Sequence, residues 1–151
     1  MAGPSTYDIH IQPLPPDEQS VIRGVFGFGT TRTIAIRGVQ RLANKWLLEF
    51  FTARGSDPLD LRRGTLFPSL IGSNVANRQS LVDVVYSSVA DATAAVSRRQ
   101  AANGASLDEC VGSVEVVSLD ISDDNTALTL AVRLTSASGA SALLTVPTKR
   151  T

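Results

Sequence analysis

The sequence predicts an α+β domain in which two main helices pack on a small, mostly antiparallel sheet ending in a C-terminal β-hairpin. Apolar residues recur at helical spacing from Val39 and again from Leu81, then change to strict alternation from Leu128. The helical patterns come first and the strand patterns follow as a block. A chain of 151 residues with 43% hydrophobic content can bury one core but is short for two ordinary domains. The expected organisation is an N-terminal extended arm with a Gly-rich strand or loop region over residues 1–37, followed by the α+β domain over residues 38–151.

The arm holds Pro4, Pro13, Pro15 and Pro16 around the alternating run Tyr7-Asp8-Ile9-His10-Ile11. Prolines cannot donate to a ladder, so strand pairing begun by this run must end at Pro13. Gly24, Gly27 and Gly29 follow. A phosphate cradle would need a helix start next, and the β-like Thr31 to Ile36 comes instead. A glycine-bearing strand or loop beside another backbone is expected there.

Val39, Leu42, Ala43, Trp46, Leu47 and Phe50 form one stripe of a helix running from about Gly38 to Phe51. Gly55 can take a left-handed turn and Pro58 cannot extend a helix, so the chain must turn there. Residues 55–73 form a long Gly/Pro-bearing connection of the kind that carries function or an interface. Leu81, Val85, Ser88, Val89, Ala92 and Val96 mark a second helix over roughly residues 77–100. Ser80 with Asp83 fits a capping box, and Asn74 or Asn77 could equally cap an earlier start. Arg98 and Arg99 are placed in its last turn and Asn103-Gly104 at its stop.

Val114 and Val116 share one parity while Val117, Leu119 and Ile121 share the other, so a β-bulge is expected at Val116-Val117. After the turn Ser122 to Asn125, the residues Leu128, Leu130, Val132 and Leu134 alternate cleanly. Ser136 to Gly139 then turn the chain into a last strand, Ser141 to Val146, ended by Pro147, with a frayed tail from Lys149 to Thr151. The predicted core is Leu42, Trp46, Phe50, Leu81, Val85, Val89, Leu128, Leu130 and Val132.

Catalytic and metal chemistry find little material. Fourteen basic residues balance fourteen acidic ones, which removes the charge excess of a dedicated nucleic-acid binder. Neither a membrane span nor a charged start followed by an apolar stretch is present, so no membrane contact or secretion by that route is expected. His10 is the only histidine and Cys110 the only cysteine, so metal sites needing two of either are excluded. Cys110 follows Asp108 and Glu109, carboxylates that disfavour a thiolate. Glu49, Asp57, Asp60, Glu109 and Glu115 could supply a glycosidase pair, but a 5% aromatic content leaves few platforms for a sugar. Asp123-Asp124-Asn125 reads as a hairpin turn rather than a calcium loop. Twelve of the fourteen basic residues are arginine, which suits persistent interface contacts and equally a GC-rich genome.

The run from Trp46 to Asp60, then Arg63-Gly64-Thr65 and Leu70-Ile71-Gly72-Ser73-Asn74, resembles the baseplate sheath-initiator family of contractile phage tails. These proteins, historically described as lysozyme-like baseplate wedge proteins, have relatives in type six secretion baseplates. Leu128 to Leu134, Gly139 and Leu143 to Pro147 are similar to the family's closing hairpin. The resemblance covers residues 39–147. Where the family carries a Glu-Pro-Arg motif before its first sheet strand, this chain has Asp108 to Gly112. Glu109 stands at the glutamate without the Pro-Arg pair, and the arm has no counterpart.

The resemblance implies a structural protein that nucleates sheath assembly, without enzymatic activity or cofactor, located in the virion after assembly in the host cytoplasm; the alternatives are another baseplate wedge or hub component, or a peptidoglycan-degrading lysozyme-like enzyme. It implies a ring of about six copies contacting tail sheath, baseplate wedge and tail tube or hub proteins. Sheath arms would join by strand addition on Ala142, Leu143, Leu144, Thr145 and Val146, at the edge of the closing hairpin. The loop residues Arg54, Asp57, Arg62 and Arg63 would form a second, weaker interface.

Overall fold

The computed structural model describes residues 11–13, 21–24, 37–71 and 77–149. It is an α+β fold in which helices α1 (Val39–Phe51), α2 (Phe67–Leu70) and α3 (Arg78–Asn103) lie against one five-stranded sheet. The strands are β1 (Ile11–Pro13), β2 (Val21–Gly24), β3 (Val111–Ile121), β4 (Ala127–Ser136) and β5 (Ser141–Lys149), in the order β1-β2-β5-β4-β3. All neighbours are antiparallel except β2 and β5. No helix among the described residues is long and apolar enough to cross a membrane. The readings placed on His10, the run before Ile11, Gly27, Gly29, Thr31 to Ile36, the Gly72 to Asn74 turn, and Arg150 with Thr151 lie outside the described residues.

Helix α1 begins after Gly38, whose positive φ of 61° is costly for any residue with a Cβ. Its stripe is buried as expected: Leu42, Trp46 and Phe50 are fully inaccessible. The Trp46 ring stacks on Phe50, centroids 4.9 Å apart, and its indole N–H donates to Thr93 Oγ1 on α3 at 3.0 Å. Phe67 packs on Phe50 at 4.3 Å, so the short α2 extends the aromatic layer. Of the alternative caps for α3, Asn77 is the one used, accepting from Gln79 N at 2.9 Å. The helix runs three residues past Gln100, to Asn103, and Gly104 ends it at φ 68°. Arg98 and Arg99 therefore fall before the last turn, correcting the expected placement, because the last residues keep helical bonding up to the glycine.

All nine predicted core residues are buried, and Ala142, Leu144 and Val146 of β5 join them at 1–2% exposure. Strand β3 slips register between Val116 and Ser118, the expected bulge, and again between Val111 and Ser113. Strands β4 and β5 pair without interruption from Ala127↔Lys149 to Thr135↔Ser141, so β5 continues through Pro147. The stretch assigned to the arm contributes to the same sheet. Val21, Ile22 and Arg23 pair in parallel with Leu143, Leu144 and Thr145, and β1 lies outside β2 as far as Pro13.

Candidate functional site

Two surfaces carry the residues singled out from the sequence: the outer edge of β5 and the loop between α1 and α2. On β5, the direction of each backbone group follows from the hairpin. Ser136 N donates to Ala140 O at 2.7 Å, and hydrogen-bonded pairs alternate along an antiparallel ladder. Ala142, Leu144, Val146 and Thr148 therefore exchange bonds with β4. Ser141, Leu143, Thr145 and Pro147 turn their backbone groups to the outer edge. Pro147, with no N–H to give, sits at an outward position where β4 loses nothing.

This geometry corrects the expected strand-addition surface in two respects. The edge of the closing hairpin is not open in this chain, because β2 occupies it opposite Leu143, Leu144 and Thr145. The side chains of Ala142, Leu144 and Val146 belong to the chain's own core. What the edge offers a partner is the backbone of Ser141, Leu143 and Thr145, with the half-buried Leu143 and Thr145 side chains on the sheet's other face. Among the described strands, the sheet ends at β1 on one side and at the doubly bulged β3 on the other.

In the loop, the four predicted residues part ways. Arg63 is a bracket rather than a free contact. Its Nε and Nη2 donate to the two oxygens of Glu49 at 3.2 and 2.9 Å, and its Nη1 donates to Asp57 at 2.9 Å. Glu49 is almost fully buried, and Arg99 of α3 also donates to its Oε1. The paired carboxylates, Glu49 first, raise the Arg63 pKa above its usual value, while the Arg63 hydrogen bond lowers that of Asp57. Arg54 is turned back to Asp91 on α3. Arg54 and Arg62 are both exposed, and Arg62 alone of the four has no side-chain partner among the described residues.

The loop is built from backbone hydrogen bonds that run in both directions. Thr65 N donates to Thr52 O and Arg54 N to Thr65 O, while the Thr65 hydroxyl donates to Phe50 O. Asp57 and Asp60 each accept the N–H two residues on, from Leu59 and Arg62, two Asx turns that shape the tip. The tip presents Leu59 and Leu61, 95% and 69% exposed. Sequence reasoning missed both leucines. The signal was available, as aspartates two residues ahead of Leu59 and Arg62 wind the tip on its own backbone and leave the apolar side chains outside.

The carboxylates considered for catalysis are mostly scattered. Glu49 and Asp57 share Arg63; Glu109 pairs with Arg41 and Lys45 at 3.3 Å each; Glu115 pairs with Arg133 on the neighbouring strand. Burial pushes the Glu109 pKa up, but the Lys45 and Arg41 hydrogen bonds outweigh it and the net shift is downward. A cleft of about 180 Å³ lies between α1 and the end of α3, with Glu49 on its wall beside Lys45, Leu48, Val96 and Arg99; it has no aromatic lining. The Cys110 thiol makes a long contact, 3.5 Å, with Ala105 O. Asp124 accepts from Ser122 and Thr126, which lower its pKa to about 2, so the Asp123-Asp124-Asn125 segment is a self-bonded hairpin turn.

Comparison of the chain with protein-family models, with curated proteins and with solved structures gives no match.

Proposed function

We propose that this chain is a structural baseplate subunit of a contractile tail that nucleates sheath assembly by accepting an extended strand and tying the first sheath ring to the baseplate. The observation that carries the reading is the contrast between the long sheet strands. Strand β3, the last of the described strands on its side of the sheet, has two bulges and carries Glu115 and Asp120, features that discourage pairing with another chain. Strand β5 is regular over nine residue pairs with β4, and its outer edge takes a strand through backbone groups alone. Strand addition of this kind gives directional attachment, while alternate side chains fix register. The element order and the loop and hairpin residues quoted for the sheath-initiator resemblance support the same assignment. The partners are then the tail sheath protein, with baseplate wedge and tube or hub proteins around a ring of copies.

The test uses the outward register of β5. Leu143→Pro with Thr145→Pro removes two donors that face the acceptor edge and leaves those bonded to β4 in place. The double variant is expected to fold, to enter baseplates and to leave them without sheath. Full-length sheath on baseplates carrying a folded double variant refutes the role of this edge.

A further inference from the structure

The acceptor edge is occupied in the isolated chain by the chain itself. Strand β2 covers Leu143 to Thr145, three of the nine residues of β5. On its other side β2 pairs with β1 over three residues, and that pairing ends at Pro13. Strand β5 by contrast is held along its whole length by β4.

We propose that β2 is a displaceable occupant of the β5 edge, masking it until an extended segment of a partner takes its place. The inference rests on the reading of β5 as a strand acceptor and adds how that acceptor is kept from premature pairing. A regular strand edge left open in a free subunit is a template for self-association, and an internal strand removes that hazard. The covering strand is suited to leaving. It lies parallel to β5, the less stable pairing per residue, and only the backbone groups of Leu143 and Thr145 face it. Pro147 blocks the outer ladder beyond Thr145, while Ser141 has no partner on that edge among the described residues and is a place where an incoming strand can begin. The partner is therefore an extended peptide segment that bonds the backbone of Ser141 to Thr145 and places a residue opposite Leu144, the position Ile22 holds here.

Two full-chain variants with opposite expected effects test this. In a Cys110→Ser background, Arg23→Cys with Thr145→Cys puts cysteines at partnered positions of adjacent strands, about 5 Å apart at Cα and within disulfide reach. Ile22→Pro removes the N–H that the register places between Leu143 and Thr145. The probe is a labelled synthetic peptide with the sequence of residues 19–26, titrated by fluorescence anisotropy. Because apparent affinity scales with the fraction of open edge, the oxidised lock is expected to bind at least about tenfold more weakly than its reduced form. Ile22→Pro is expected to bind at least about tenfold more tightly than the parent. Equal peptide affinity in the locked, reduced and Ile22→Pro chains overturns the masking. If the lock blocks peptide but baseplates carrying it still grow sheath, the masking stands and the sheath-acceptor role of this edge falls.

Discussion

Removing Arg63 is the most informative single perturbation of the domain, because its guanidinium bridges a buried carboxylate on α1 and the loop that follows. The side chain of Glu49 is 2% exposed and takes two N–H donors from Arg63, one on each oxygen. Arg99 reaches only Oε1, and its own side chain is 48% exposed. In Arg63→Met the Oε2 atom loses its donor in a place that water barely reaches. Breaking a buried ion pair from one side costs about 3 to 5 kcal/mol. The remaining Arg99 contact argues for the lower end, about 3 kcal/mol. For a chain of this size each kcal/mol moves Tm by about 2 to 4 °C, so a fall of roughly 6 to 12 °C is expected in calorimetry. Arg63→Lys restores charge but not the two-pronged geometry and should recover only part of the loss. Removing the buried charge as well, with Glu49→Gln added to Arg63→Met, should leave the double variant more stable than Arg63→Met alone. A Tm for Arg63→Met within about 1 °C of the parent, or a double variant as unstable as the sum of the singles, refutes the buried-carboxylate reasoning.

Further outcomes are expected elsewhere in the fold. Gly64 has φ 96°, and an added Cβ would lie 2.5 Å from Thr52 O; Gly64→Ala should destabilise by at least about 1 to 3 kcal/mol in urea unfolding, and an unchanged midpoint would contradict it. The Ser88 hydroxyl on α3 is fully buried without a hydrogen-bond partner among the described residues, so Ser88→Ala should be neutral or raise Tm, and a fall of several degrees would show an unrecognised partner. Glu109 titrates below the ordinary glutamate value of 4.5, so its ion pairs stabilise the fold above that pH and are lost as pH falls through the lower folded value. Glu109→Gln should accordingly be less stable than the parent at pH 7, with the gap closing on acidification below pH 4.5. A gap that persists unchanged to pH 2 would assign the effect to packing instead.

Local periodicity alone specified much of this molecule. The α1 and α3 stripes, the Leu128 to Leu134 alternation and the parity slip at Val116-Val117 named the core and the bulge, because burial on one face leaves a 3.6- or 2-residue repeat in the sequence. Glu49 shows how far that went: three residues past Trp46, it lies on the stripe's margin, yet its burial depends on Arg63 and Arg99, fourteen and fifty residues away. The outward direction of Leu143 and Thr145 was likewise open until the Ser136–Ala140 bond fixed which alternate groups face β4. The masking of β5 by β2 left no local trace. It is a parallel pairing of three residues across more than a hundred positions, made by backbone groups that every sequence carries, and only the assembled sheet decides which edge they meet.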